Sequence, residues 1–230
     1  MAARTLAARS LGGAAAATAA AFALLLALGA WQLQRRAWKE GVLASIARSE
    51  AAPPAPLSPH PASFSKVEVR GTLRDVGFYG IAVRSTPLGE REGAFRLGVV
   101  ERPGAPAVLV NEGWAPDAVP LDPAPRQAAV VGYVMPGEAP GFFLPRGDAA
   151  TRHFYAPDPP GIGAALGLPP LEPFLLVALG DAPPGIYPQP APRLPEPPNN
   201  HLQYALTWFA LAAVLLGVFA AYARQRTRTA

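Results

Sequence analysis

The chain has 230 residues, half of them hydrophobic, with 29 prolines and no cysteine. Its net charge of +4 sits at the ends: residues 35–200 hold 15 Lys+Arg against 16 Asp+Glu, a near-neutral middle that offers no basic face to nucleic acid. Without cysteine there are no disulfides, thiolate nucleophiles, iron–sulfur clusters or Cys-ligated zinc and copper sites.

In chain order, residues 1–10 carry Arg4 and Arg9, and residues 11–30 form an apolar run. As a helix that run is about 30 Å long, the thickness of a bilayer's hydrocarbon core. A lipid interior cannot satisfy loose backbone groups, so the run is predicted to be a membrane-spanning helix. A cleaved signal peptide is the rival reading, with Arg4 and Arg9 as its basic start and small residues at 27–30 as its cleavage site; the length of the run counts against it. Helix is expected to continue through 31–39, where Trp31, Arg35 and Trp38 recur at i, i+4 and i+7 on one face. On their own these three read as an interfacial aromatic belt with a cation. Five prolines within 51–61 then make an extended linker.

Strand signals dominate from 62 to 182. At 66–74, Val67, Val69 and Leu73 alternate with Glu68, Arg70 and Thr72, a half-buried strand in which Gly71 is expected to form a bulge. Further strands are expected at 78–83, 94–101, 107–111, 128–134, 152–156 and 173–179, punctuated by Gly and Pro. Asp158 is placed to cap a short helix running to Leu166. Gly161, Gly163 and Gly167 follow no convincing strand at dinucleotide-binding spacing, so that motif is set aside. The expected fold is one α+β domain built on a mainly antiparallel sheet or partly closed barrel.

Residues 183–200 are a stiff, Pro-rich return, with eight prolines between 183 and 198, ending at Asn199 and Asn200, good caps for a second apolar helix over 201–223. On that helix His201, Tyr204, Ala205 and Trp208 share one face at i, i+3, i+4 and i+7. The tail at 224–230 carries Arg224, Arg226 and Arg228 with no acid. The positive-inside rule then places both termini in the cytoplasm and the central domain outside, in a periplasm. Arg35, Arg36 and Lys39, just beyond the first span, run against that rule. The whole reads as a two-helix transmembrane hairpin carrying an extramembrane domain.

Three stretches resemble the Surfeit-locus family of cytochrome c oxidase assembly factors: 28–39, Leu-Gly-Ala-Trp-Gln-Leu-Gln-Arg-Arg-Ala-Trp-Lys; 108–116, Val-Leu-Val-Asn-Glu-Gly-Trp-Ala-Pro; and 199–209, Asn-Asn-His-Leu-Gln-Tyr-Ala-Leu-Thr-Trp-Phe. Residues 140–145 and 153–155 are similar to weaker landmarks of the same family. In the middle stretch Glu112 stands where the family usually has arginine, which puts any partner-docking role of that arginine in doubt here. The resemblance implies a non-enzymatic factor of a bacterial inner membrane that binds or delivers haem a to the oxidase catalytic subunit, alongside a haem a synthase. It also implies that His201 is the haem ligand.

Imidazole is a natural axial ligand for haem iron. Trp31, Tyr204 and Trp208 would line the cofactor, and Arg35, Arg36 and Lys39 could meet its propionates if the two helices pack together. The same residues also read as a plain membrane anchor: a polar histidine and an aromatic belt at the interface. His153, within an expected strand, and His60, among linker prolines, read as incidental. The alternative function is a cofactor-free scaffold that holds an oxidase assembly intermediate. An enzyme acting on a lipid or quinone has no carboxylate pair at a usable spacing to support it.

Overall fold

The computed structural model describes residues 2–229 apart from Ala118 and Arg146, with side chains described from Gly12 to Arg228, so the side chains of Arg4 and Arg9 lie outside the described residues. The chain divides into two compact units, residues 45–195 and a helical unit of residues 1–44 with 196–230.

The helical unit contains two long apolar helices. Helix α1 (Ala2–Ala51) runs as one piece of 50 residues, well past the expected extension at 31–39. It stops where Pro53 and Pro54 remove backbone donors and force the preceding residues out of the helical region. Helix α3 (His201–Thr229) has 29 residues. Each has a segment long and apolar enough to cross a membrane by length and composition.

The two helices pack through a heptad seam. The less exposed positions include, on α1, Ala15, Thr18, Phe22, Leu25, Gly29, Gln32, Arg36 and Lys39, and on α3, His201, Ala205, Trp208, Ala212, Leu215, Phe219 and Tyr222. Both series alternate steps of three and four, the period that keeps two helices in contact by a shallow left-handed crossing. Small residues sit at the closest points. Ala205 and Ala212 are 0% and 1% exposed, and a Cβ on Gly29 would come within 2.8 Å of Cδ1 of Phe209. Gly29 is there so that α3 can approach. We expect Gly29→Leu to splay the pair, seen as a thermal transition lowered by several degrees with the central domain's own transition unmoved.

In residues 45–195 the strands are β1 (Ala55–Pro56), β2 (Lys66–Thr86), β3 (Gly89–Arg102), β4 (Ala105–Pro116), β5 (Arg126–Pro136), β6 (His153–Phe154) and β7 (Leu171–Ala178). The sheet is mixed: β2–β3, β2–β5, β3–β4 and β5–β7 are antiparallel, whereas β1–β2, β2–β6 and β4–β7 are parallel. The hydrogen-bonded pairings run in a circuit from β2 through β3, β4, β7 and β5 back to β2.

Two expected strands, 66–74 and 78–83, are one. Its first half pairs with β5 and its second with β3, and both neighbours meet at Thr72 and Leu73. The expected bulge at Gly71 is absent, since the register with β5 is unbroken from Lys66 to Leu73. Irregularities fall instead between Asp75 and Gly77 and between Tyr79 and Ala82. Gly71 serves close approach: a Cβ there would collide with the carbonyl oxygen of Glu101.

The circuit encloses Val67, Val69, Leu73, Val100, Val108, Val110, Val134, Phe174, Leu176 and Ala178 as one buried cluster. Alternation on each strand points these residues inward. Helix α2 (Pro159–Leu166) starts as expected, with the Asp158 side chain accepting from the Gly161 N–H, and it ends on Gly167 in the left-handed region at φ 63°.

The proline-rich return is more firmly held than a spacer. Trp114 and Gln189 exchange both backbone hydrogen bonds at 2.9 and 2.8 Å, and Ala191 N–H donates to Ala178 O at 3.0 Å. Leu194 is buried, and its N–H donates to Glu50 Oε2 at the end of α1.

Candidate functional site

His201 is the first residue of α3, and the first helical turn behind it closes when Tyr204 N–H donates to Asn200 O at 3.3 Å. Its ring lies on the seam. His201 Nδ1 is 2.8 Å from Oε1 of Gln32 on α1. A carboxamide oxygen only accepts, so Nδ1 is the donor, and in the neutral ring Nε2 then carries the lone pair. An imidazole held by a second group through one nitrogen, with the other free to bind, is the usual arrangement of a metal-ligating histidine. These residues therefore fit an axial haem ligand. Two residues earlier, the buried Oδ1 of Asn199 has no hydrogen-bond partner among the described residues, an acceptor left open beside the same helix start.

The other residues singled out from sequence divide into two sets. Trp208 sits half-buried on the seam about two turns beyond His201, and Arg36 and Lys39 occupy seam positions on α1. Tyr204 and Trp31, 55% and 54% exposed, face away from the partner helix. The face shared by His201, Ala205 and Trp208 therefore leaves out Tyr204. Arg35 stacks its guanidinium over Trp38, three residues on, at 3.9 Å. Arg36 Nε donates to Glu40 Oε1 at 2.7 Å.

Gln32 was not singled out from sequence. Its signal is there, three residues after Gly29 in the heptad that begins in the apolar run. A polar side chain at a seam position of an apolar helix pair is a partner-seeking residue.

A second polar cluster lies in the central domain, one residue from each of four strands. Asp75 on β2 is fully buried and takes Arg96 Nη1 of β3 at 3.0 Å and Arg126 Nη1 of β5 at 2.9 Å. Arg126 Nη2 also reaches Glu112 Oε2 of β4 at 2.5 Å. Asp75 Oδ2 further accepts the Asp122 N–H, and Arg96 Nη2 donates to Pro120 O. Glu112, in the place of the family's usual arginine, is thus turned inward. Space for it comes from Gly98, where a Cβ would collide with Glu112 Oε1 and meet Leu73 Cδ1 at 2.7 Å. Burial, then the neighbouring Asp75 charge, push the Glu112 carboxyl up to about 7 against the opposing pull of Arg126. The two carboxyls together raise Arg126 despite its partial burial.

Two apolar helices bracketing a mixed-sheet domain, with a histidine of one helix fixed by a carboxamide of the other, define a two-helix, one-domain protein class. The SURF1 family profile matches residues 19–213. A SURF1-like protein of Rickettsia conorii is 28% identical over 216 residues, covering 89% of this chain and 88% of its own. A SURF1-like protein of Rickettsia felis is 28% identical over 215 residues, at 88% and 93% coverage. Surfeit locus protein 1 of Mus musculus is 30% identical over 214 residues, at 81% and 68%. The chain belongs to the SURF1 family.

Proposed function

We propose that this protein spans a bacterial inner membrane twice, with its termini in the cytoplasm and its domain in the periplasm, and assists assembly of a haem–copper cytochrome c oxidase by holding haem a through His201. Support for the membrane comes from the helices themselves: only 6% and 11% of their most apolar windows are buried, and Leu24, Leu206, Val214 and Val218 are each about 60% exposed. Such surfaces belong in lipid rather than water. The observation that carries the cofactor reading is the His201–Gln32 hydrogen bond, which fixes the ring and leaves Nε2 open.

Haem a would supply redox iron to the oxidase catalytic subunit; this chain's part is to bind, orient and release it, with no chemical step of its own. His201 would hold the iron, and Trp208 would pack beside the ring. Arg35 and Lys39 stand nearer the polar end for propionates, while Arg36 is already paired with Glu40. A haem a synthase on the supplying side and the catalytic subunit on the receiving side are the partners of this reading. That same Arg36–Glu40 pair favours the second reading, a cofactor-free scaffold, because it neutralises a cation that the haem reading would leave for the ligand.

The spectrum separates the two. Purified from a strain that makes haem a, the parent should show a Soret band that His201→Ala reduces by about tenfold, the loss of one metal-ligand contact and its support. A His201→Ala protein with as much haem as the parent removes the ligand claim, and a parent with no Soret band leaves the scaffold.

A further inference from the structure

The loop between β5 and β6 ends in a feature that neither helix nor sheet requires. Phe142 and Phe143 are 96% and 94% exposed and Leu144 is 48% exposed. The two rings meet edge to face at 5.1 Å, so they form one apolar knob. Soluble surfaces rarely present adjacent aromatic rings so fully to water.

The knob is held at a fixed place. Gly137 N–H donates to Pro173 O and Glu138 N–H to Pro157 O on one side, and Asp148 and His153 exchange two backbone hydrogen bonds on the other. We propose that this loop tip inserts into the lipid interface, as a third membrane contact beside the two apolar helices. The inference rests on the reading that those helices span a bilayer.

The loop's composition favours lipid over a protein partner. Ala139 to Pro145 is seven residues without a charged side chain, so its entry into the interface desolvates no ion. Pro140 and Pro145 have no N–H and Leu144 N–H is given to Gly141 O at 3.0 Å, and the loop's other donors can be met by water and headgroups in the hydrated interface. A chain fixed in the bilayer at both ends also keeps lipid at high effective concentration, so a shallow contact of two rings suffices.

The absence of cysteine permits a clean test with the full chain in vesicles of phosphatidylcholine and phosphatidylglycerol. A Cβ at Gly141 meets nothing within 4 Å, so Gly141→Cys can carry an environment-sensitive dye with both phenylalanines intact. Exposed Arg91→Cys is the aqueous reference and exposed Ala213→Cys on α3 the lipid reference.

The dye at 141 should be quenched roughly twofold by a lipid spin-labelled near its headgroup and be shielded from iodide relative to the dye at 91, and Phe142→Ser with Phe143→Ser should abolish both effects. A dye at 141 as open to iodide as that at 91, while the dye at 213 is quenched by lipid, overturns the inference and leaves the spanning helices standing; that is the result a protein-docking knob would give. If lipid quenches neither 141 nor 213, the inference falls together with the spanning reading.

Discussion

Asp75→Ala should be the most damaging single substitution in the central domain, lowering its unfolding free energy by about 3–5 kcal/mol. The carboxylate is fully buried and each of its oxygens takes an arginine, at 3.0 Å from Arg96 and 2.9 Å from Arg126. Removing it leaves Arg96, with its side chain 7% exposed, as a buried cation whose Nε already has no partner among the described residues. Arg126 suffers less, because its side chain is 39% exposed and keeps Glu112. Chemical denaturation of the detergent-solubilised protein, followed on the domain's near-ultraviolet signal from the fully buried Trp114, checks this. Asp75→Asn should recover part of the loss by still accepting the Asp122 N–H.

The second large effect is in pH. Glu112 carries a carboxyl raised from 4.5 to about 7, first by burial and then by the Asp75 charge. Between those two values the folded state holds a proton that the unfolded state has released. Stability from this group is therefore fully present below pH 4.5 and is lost as pH rises through about 7, by on the order of 2–3 kcal/mol. Three charged groups face it: Asp75, Arg96 and Arg126. Glu112→Gln cannot ionise, so the difference in unfolding free energy between parent and variant should change across pH 5 to 8 in the variant's favour. A constant difference over that range would show that Glu112 does not titrate there.

The same cluster shows what Glu112 does at the position where the resemblance implies arginine. A third arginine at 112 would face Arg96 and Arg126 around one buried aspartate. In this chain the acid brings the set to neutrality once its proton leaves, above about pH 7, with two carboxylates and two guanidinium groups. Glu112→Arg should therefore weaken the domain as well as fail to restore any docking surface, since the position points inward.

What could be read from the sequence follows what is local. The apolar runs, the proline stops, the Asp158 cap and the alternation in β2 are carried by neighbours within a turn or two, and each placed its element near where it lies. The union of two expected strands into β2 was hidden because Gly77 and Gly80 resemble strand ends. In the fold they absorb irregularities in a strand that changes partner along its length. The parallel pairing of β4 with β7 is a long-range choice that no local pattern records.

At the helix heads, periodicity put Tyr204 with His201 because i, i+3 and i+4 are near-equivalent on an isolated helix. Packing resolved the ambiguity: the small Ala205 lets the backbones approach and turns Tyr204 outward. Gln32 was legible only as half of a pair. The charge cluster was not legible at all, since its four members are drawn together from four strands by the circuit of the sheet.

Everything proposed for His201 depends on its meeting Gln32 across the helix pair. With no native thiols, Gln32→Cys/His201→Cys can be treated in native membranes with a short bismaleimide and compared with Leu33→Cys/Leu202→Cys, two exposed positions one step off the seam. An intramolecular link in the first pair, and little in the second, is the result this structure requires. Equal linking of both pairs, or links only between separate chains, would contradict it.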